Sequence, residues 1–168
     1  MTTPTPLYTT LSSPLGELLL TGEERPGGTV LTSVSFPAPP AAPPPARRAD
    51  GAFAAAVEQL RGYLAGDRTR FELPLAAPGS EFQQRVWAAL DDIPYGTTTT
   101  YGALARRLDV PCGQVRAVGA ALGANPLLLV RPCHRVIGAD GSMRGYAAGV
   151  DRKVRLLTLE GALQPTLL

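Results

Sequence analysis

TTTTYGALARRLDVPCGQVRAVGAALGA, residues 97–124, reads as two short helices joined by a tight turn. The run Thr97 to Thr100 supplies a hydroxyl cap for a first helix over Tyr101 to Leu108. Asp109-Val110-Pro111-Cys112-Gly113 breaks it, because proline lacks the amide that a helix needs and glycine frees the backbone. A second helix is expected over about Gln114 to Gly123, and Asn125-Pro126 stops it. Helix, short turn, helix is the helix-turn-helix layout, but a plain αα-hairpin has the same outline. Two details favour nucleic acid. Arg116 lies near the start of the second helix, where a recognition helix meets DNA. Gly119, Ala120, Ala121, Gly123 and Ala124 leave one surface nearly bare, so that another backbone can approach closely.

Downstream, Pro126-Leu127-Leu128-Leu129-Val130 is apolar and predicts a buried strand. It leads into Arg131-Pro132-Cys133-His134-Arg135-Val136, where the only histidine of the chain follows one of its two cysteines. A thiol is strongly nucleophilic only as thiolate, and a neighbouring imidazole or guanidinium lowers a cysteine's pKa. Both stand within two residues of Cys133; an inert buried cysteine beside a chance histidine is the bland alternative. On an extended chain these neighbours point to opposite faces, so contact between them needs a turn or a bridging water. Gly145-Tyr146-Ala147-Ala148-Gly149 can line a pocket with backbone amides and one aromatic wall. Asp151 is expected to cap a last helix reaching Glu160 and ended by Gly161.

Upstream, Ser80 and Gln83 form a capping box, and Pro78-Gly79 marks a domain boundary. Leu7 to Ser12 and Glu17 to Leu20 read as a hairpin around Ser13-Pro14-Leu15-Gly16, with a third strand over Thr29 to Phe36. Residues 37–46 hold six prolines and suit an exposed spacer better than a partner-binding segment. Asp50 is expected to cap a helix to about Ala65, and Phe71 to Leu75 to form a short strand. The expected fold is an α/β N-terminal domain, residues 1–78, with a small antiparallel sheet and one main helix. A mainly helical, winged-helix-like C-terminal domain with the helix-turn-helix follows over 79–168.

Composition excludes several classes. No apolar run approaches a membrane span, and the N-terminus lacks the basic and apolar parts of a signal peptide. Two cysteines cannot build a disulfide framework, and no Cys/His cluster suggests a metal, so a cytoplasmic protein with reduced thiols is expected. Residues 1–80 carry six Arg and seven acidic groups, a net of −1; residues 81–168 carry nine Arg, one Lys and seven acidic groups, a net of +3. The excess of arginine over lysine suits phosphate contacts, although a high-GC genome produces the same bias.

Pro132-Cys133-His134-Arg135-Val136 resembles the active-site signature of the methylated-DNA–protein-cysteine methyltransferases, the O6-alkylguanine-DNA alkyltransferases. Phe82-Gln83-Gln84-Arg85-Val86-Trp87, Ile93-Pro94-Tyr95-Gly96, Thr100-Tyr101, Arg116-Ala117-Val118-Gly119, Asn125-Pro126, Gly145-Tyr146 and Glu160-Gly161 are similar to the family in order and spacing. The likeness is strong over 80–161 and one of layout only over 7–75. It implies a suicidal displacement that moves the alkyl group of O6-methylguanine, and of O4-methylthymine, in flipped-out duplex DNA onto Cys133. It makes His134 a base acting through water, Glu160 its orienter and Tyr101 the proton donor to the leaving base. Tyr146 would pack on that base, the Ala147 amide would bond O6, and the Cys133 and Val136 carbonyls would take the exocyclic amine. Arg116 would fill the vacated stack, with Gly119 and Arg135 also at the DNA and Asn125 as a hinge. No cofactor and no metal are implied, and a monomer is expected. Arg131, and Ala147-Ala148, depart from the family pattern. The alternatives are a non-enzymatic binder that flags alkylated DNA, which the presence of Cys133 disfavours, and a regulator with a sensor cysteine, which lacks an effector domain.

Overall fold

The computed structural model describes residues 5–37, 46–143 and 145–163. The chain divides into two compact units, one of Met1–Pro78 with Pro126–Val130, the other of Gly79–Asn125 with Arg131–Leu168.

The first unit is built on a four-stranded sheet. Strands β1 (Pro6–Leu11), β2 (Leu18–Arg25), β3 (Gly28–Ser35) and β4 (Arg47–Arg48) lie in the order β3-β2-β1-β4. The β1–β2 and β2–β3 pairs are antiparallel and β4 runs parallel to β1. Period-two alternation sends Leu7, Thr9 and Leu11 inward. A bulge at Thr21/Gly22 lets the backbone pass close to Phe53: a Cβ on Gly22 would stand 2.6 Å from the Val30 carbonyl oxygen. Helix α1 (Ala54–Leu64) contributes Leu60 and Tyr63 to this core.

Three local expectations are corrected here. Asp50 does not cap α1. It opens a 3-10 turn, Asp50–Phe53, and its carboxylate accepts instead from Thr9 Oγ1 at 2.7 Å and Arg48 Nε at 2.9 Å. Phe71–Leu75 is no strand: Pro74 interrupts any ladder, and only Leu75 bridges Leu31. Nor is Pro126–Val130. It curls through a turn with Leu129 at φ 70° and bonds to β3 at Val34, whose amide donates to Pro126 and whose carbonyl accepts from Leu128. Residues 38–45 of the proline-rich stretch lie outside the described residues.

The second unit begins with α2 (Glu81–Leu90), whose capping box joins Ser80 and Gln83 reciprocally. Thr100 ends β5 (Thr99–Thr100) and its hydroxyl accepts from Ala103, capping α3 (Tyr101–Arg107). Asp109 takes the left-handed conformation at φ 56°, turning the chain into α4 (Val115–Gly123). Trp87 is buried and its indole donates to the Ala121 carbonyl at 2.8 Å, tying α2 to α4. β6 (Val136–Ile137) pairs in parallel with β5, and α5 (Val150–Leu159) closes the unit. Asp151 lies in the first turn of α5 but does not cap it; Gly149 at φ 98° is the capping residue. Gly161 at φ 78° follows its end. Among the described residues no helix is long and apolar enough to cross a membrane, and no group of three His, Cys, Asp or Glu could hold a metal ion.

Candidate active site around Cys133

Pro132 adopts φ −81° and ψ 64°, and the Cys133 amide donates back to the Arg131 carbonyl at 2.8 Å. That is an inverse γ-turn. A 3-10 turn over Cys133–Arg135 follows at once, with Arg135 donating to Pro132 and Val136 to Cys133. The cysteine and histidine therefore stand on a curled backbone rather than an extended one.

Cys133 is 6% exposed, and burial pushes its thiol up to about 11. A hydrogen bond from the Asn125 side chain and the charge of Lys153 oppose that rise. His134 is fully buried, and burial lowers its pKa despite the bond from Nε2 to Glu160 Oε2 at 2.8 Å. The expectation that a neighbouring imidazole or guanidinium lowers the pKa of the resting thiol is corrected. The imidazole turns to Glu160, Arg135 is committed elsewhere, and burial outweighs any charge. The resting pair is a neutral thiol and a neutral imidazole.

The cation that acts on the thiol is Lys153, which sequence reasoning missed. Its side chain on α5 is wholly buried, donates from Nζ to the Val136 carbonyl at 2.6 Å, and lies 5.9 Å from the centre of the Tyr101 ring. Burial lowers its pKa, so the ammonium is held at some cost. A signal was available: it is the one lysine among sixteen basic residues.

Asn125 is buried and donates to the Arg131 carbonyl at 3.0 Å as well as bonding the thiol, so one amide ties the end of α4 to the cysteine turn. Arg131 itself acts electrostatically on Asp91. Tyr101 opens α3. Gly145, at φ 86°, lies against its hydroxyl so closely that a Cβ would stand 2.6 Å from Oη. Tyr146 packs edge-on to His134 with ring centres 6.3 Å apart, and its buried hydroxyl has no hydrogen-bond partner among the described residues. Ala147 is exposed in the turn that follows, closed by Gly149 donating to Tyr146.

Arg135 is not at a surface. It is 7% exposed, donates to both Glu160 oxygens, and reaches the Ile93 carbonyl at 2.6 Å. This removes it from the residues expected to touch DNA, because it is buried and holds Glu160 and the Ile93 carbonyl inside the protein. Val136 offers a carbonyl already accepting from Lys153, and Cys133 one accepting from Val136, which leaves each one lone pair. Arg116 is exposed on α4, with Ala117, Ala120, Gly123 and Ala124. A Cβ on Gly119 or Gly123 would meet nothing within 4 Å. Glycine costs a helix about 1 kcal/mol against alanine, and among the described residues nothing crowds these two positions.

The thiol predicts its own pH signature. Between its ordinary 9.0 and about 11 the unfolded chain has released the thiol proton and the folded chain keeps it. The folded state then binds more protons, so stability falls as pH rises through that window. Urea unfolding from about pH 8 to pH 10.5 is expected to show wild type losing stability relative to Cys133→Ala by up to about 1.4 kcal/mol per pH unit. A difference independent of pH would contradict the burial argument.

Residues 81–162 match the family described as 6-O-methylguanine DNA methyltransferase, DNA binding domain, and residues 7–77 match its ribonuclease-like domain. A methylated-DNA–protein-cysteine methyltransferase of Mycolicibacterium paratuberculosis is 47% identical over 160 residues, covering 94% of each chain. One from Methanosarcina acetivorans is 42% identical over 155 residues, 92% of this chain and 98% of that one. The crystal structure of the Mycobacterium tuberculosis O6-methylguanine methyltransferase superposes with a TM-score of 0.84 at 44% identity, over 96% of both chains. The M. tuberculosis protein solved in complex with DNA gives 0.83 at 44% over 93% of both.

Proposed function

Because the chain belongs to the methylated-DNA–protein-cysteine methyltransferase family, we propose that Cys133 is its alkyl acceptor and that it acts once. The protein repairs alkylated DNA by direct reversal, with double-stranded DNA as its partner. The observation that carries the reading of the site is the convergence of Cys133, Asn125, Lys153, His134 and Glu160 in one buried cluster.

His134 takes the thiol proton through a water, and the Lys153 ammonium and the Asn125 amide favour the thiolate that forms. The sulfur attacks the methyl carbon of O6-methylguanine as the carbon–O6 bond breaks, and its electron pair stays on the base. Tyr101 supplies a proton to the leaving guanine, with the Lys153 charge 5.9 Å from its ring favouring the phenolate left behind. The product is a thioether. Its carbon is no electrophile for water, so nothing regenerates the thiol. Tyr146 and Ala147 line the pocket of the flipped base, and the amide of Ala147 faces O6. Arg116 fills the gap in the stack and offsets part of an unstacking cost of a few kcal/mol. O4-methylthymine presents the same methyl–oxygen bond and is a second substrate. The site of action is the cytoplasm.

The test is mass spectrometry of the digested protein after mixing with duplex DNA carrying O6-methylguanine. One added methyl on the Cys133 peptide, at one equivalent per chain, is expected. Tight binding without methylation would instead make the protein a lesion-flagging binder.

A further inference from the structure

We propose that Arg135 is a positioning residue that holds the proton of His134 on Nε2, leaving Nδ1 as the basic atom. It rests on the reading of His134 as the base.

Glu160 accepts from Arg135 Nε on Oε1 at 2.8 Å and from Arg135 Nη2 on Oε2 at 3.0 Å. This is a two-point fork between guanidinium and carboxylate, the geometry that arginine alone among side chains provides. A carboxylate so held is ionised and accepts only. The same Oε2 lies 2.8 Å from His134 Nε2, so the hydrogen in that bond belongs to the imidazole. A neutral imidazole carries one proton. With it on Nε2, Nδ1 has the lone pair. His134 is neutral at rest because burial outweighs Glu160, and Arg135 and Lys153 push in the same direction as burial.

Arg135 is itself oriented. Its Nη1 donates to the Ile93 carbonyl at 2.6 Å, and its guanidinium carbon lies 5.7 Å from the centre of the Tyr95 ring. The Tyr95 hydroxyl reaches the Leu159 carbonyl at 3.4 Å, beside Glu160. The Ile93–Tyr95 turn thus sets the arginine, the arginine sets the carboxylate, and the carboxylate sets the imidazole. Without Arg135, the buried carboxylate competes for the shared proton. The imidazole can then carry it on Nδ1, where it is no base for the thiol.

The charged and titratable groups around the imidazole are Glu160 and Lys153 from the last helix and its end, Arg135 and Cys133 from its own turn, and Tyr146 edge-on. Removing the Arg135 charge leaves Glu160 and Lys153 as the charges acting on it. Their balance then favours the imidazolium more than before, so His134 protonates at higher pH. The acid limb of alkyl transfer, where the base is lost, moves up with it.

His134 is the only histidine, so imidazole 15N resonances of the full chain need no assignment. Wild type is expected to show a protonated Nε2 and an unprotonated Nδ1; the opposite tautomer overturns the proposal without any variant. In Arg135→Gln the two nitrogens should become mixed, with titration midpoint and acid limb raised by about one pH unit or more. Arg135→Lys keeps the charge but not the fork, and should fall between. If both variants keep the wild-type tautomer and midpoint, Arg135 is only structural. These spectra need no DNA, so failure here is distinct from absence of methyl on Cys133.

Discussion

Cys133→Ala is expected to abolish methyl transfer and to leave binding to duplex DNA carrying O6-methylguanine in place. The two halves have different physical origins. Transfer needs a sulfur lone pair at the methyl carbon. Among the described residues no other thiol lies in this site, and an alanine side chain offers no lone pair. On the proposed reading, binding rests on the exposed face of α4 with Arg116 and on Tyr146, neither of which depends on the sulfur. Removing one buried sulfur leaves a cavity smaller than a methylene pair, and Asn125 keeps its bond to the Arg131 carbonyl. The checks are methyl retention on the DNA and a band-shift titration against unmodified duplex. Undiminished demethylation by the variant would sink the assignment of Cys133.

Glu160→Ala is expected to cost the most stability of any single change near the site. The carboxylate is 5% exposed and is the acceptor for both Arg135 and His134. Its removal strands a buried guanidinium with the Ile93 carbonyl as its remaining hydrogen-bonded acceptor. Breaking a buried pair from one side costs about 3–5 kcal/mol, a fall of about 6–20 °C in Tm for a chain of this size. Because most of that penalty is the stranded charge, Glu160→Ala/Arg135→Met should recover a large part of it. Transfer should stay slow in the double variant, since the imidazole has lost its orienter. Thermal unfolding of the two variants decides the matter. A loss under about 1 kcal/mol in the single variant, or no recovery in the double, contradicts the charge argument.

Much of the second unit was legible in local patterns. Ser80 with Gln83, the run Thr97 to Thr100, and Asp109 ahead of Pro111 mark helix ends that the structure shows, with Thr100 the cap within that run. Capping works because a helix terminus needs a nearby hydroxyl or carboxylate, and near in space is there near in sequence. The same logic failed at Asp50 and Asp151. Thr9, distant in sequence, won the first carboxylate, and the helix began earlier than expected, at Val150 after Gly149, which left Asp151 inside its first turn. Pro126–Val130 misled for another reason: apolar runs record burial, and a buried turn needs burial as much as a strand does.

By itself, the sequence determined that a reactive-cysteine signature sits next to a helix-turn-helix, and which family that order of motifs resembles. Tertiary structure decided what each group around the cysteine does. It buried Arg135 against Glu160, set Nε2 of His134 on the same carboxylate, and brought in the lone Lys153 as the nearby cation. Proximity in sequence suggested an activated thiol, while burial raised it to about 11. The reason is that desolvation and through-space charge set a pKa, and neither follows the chain.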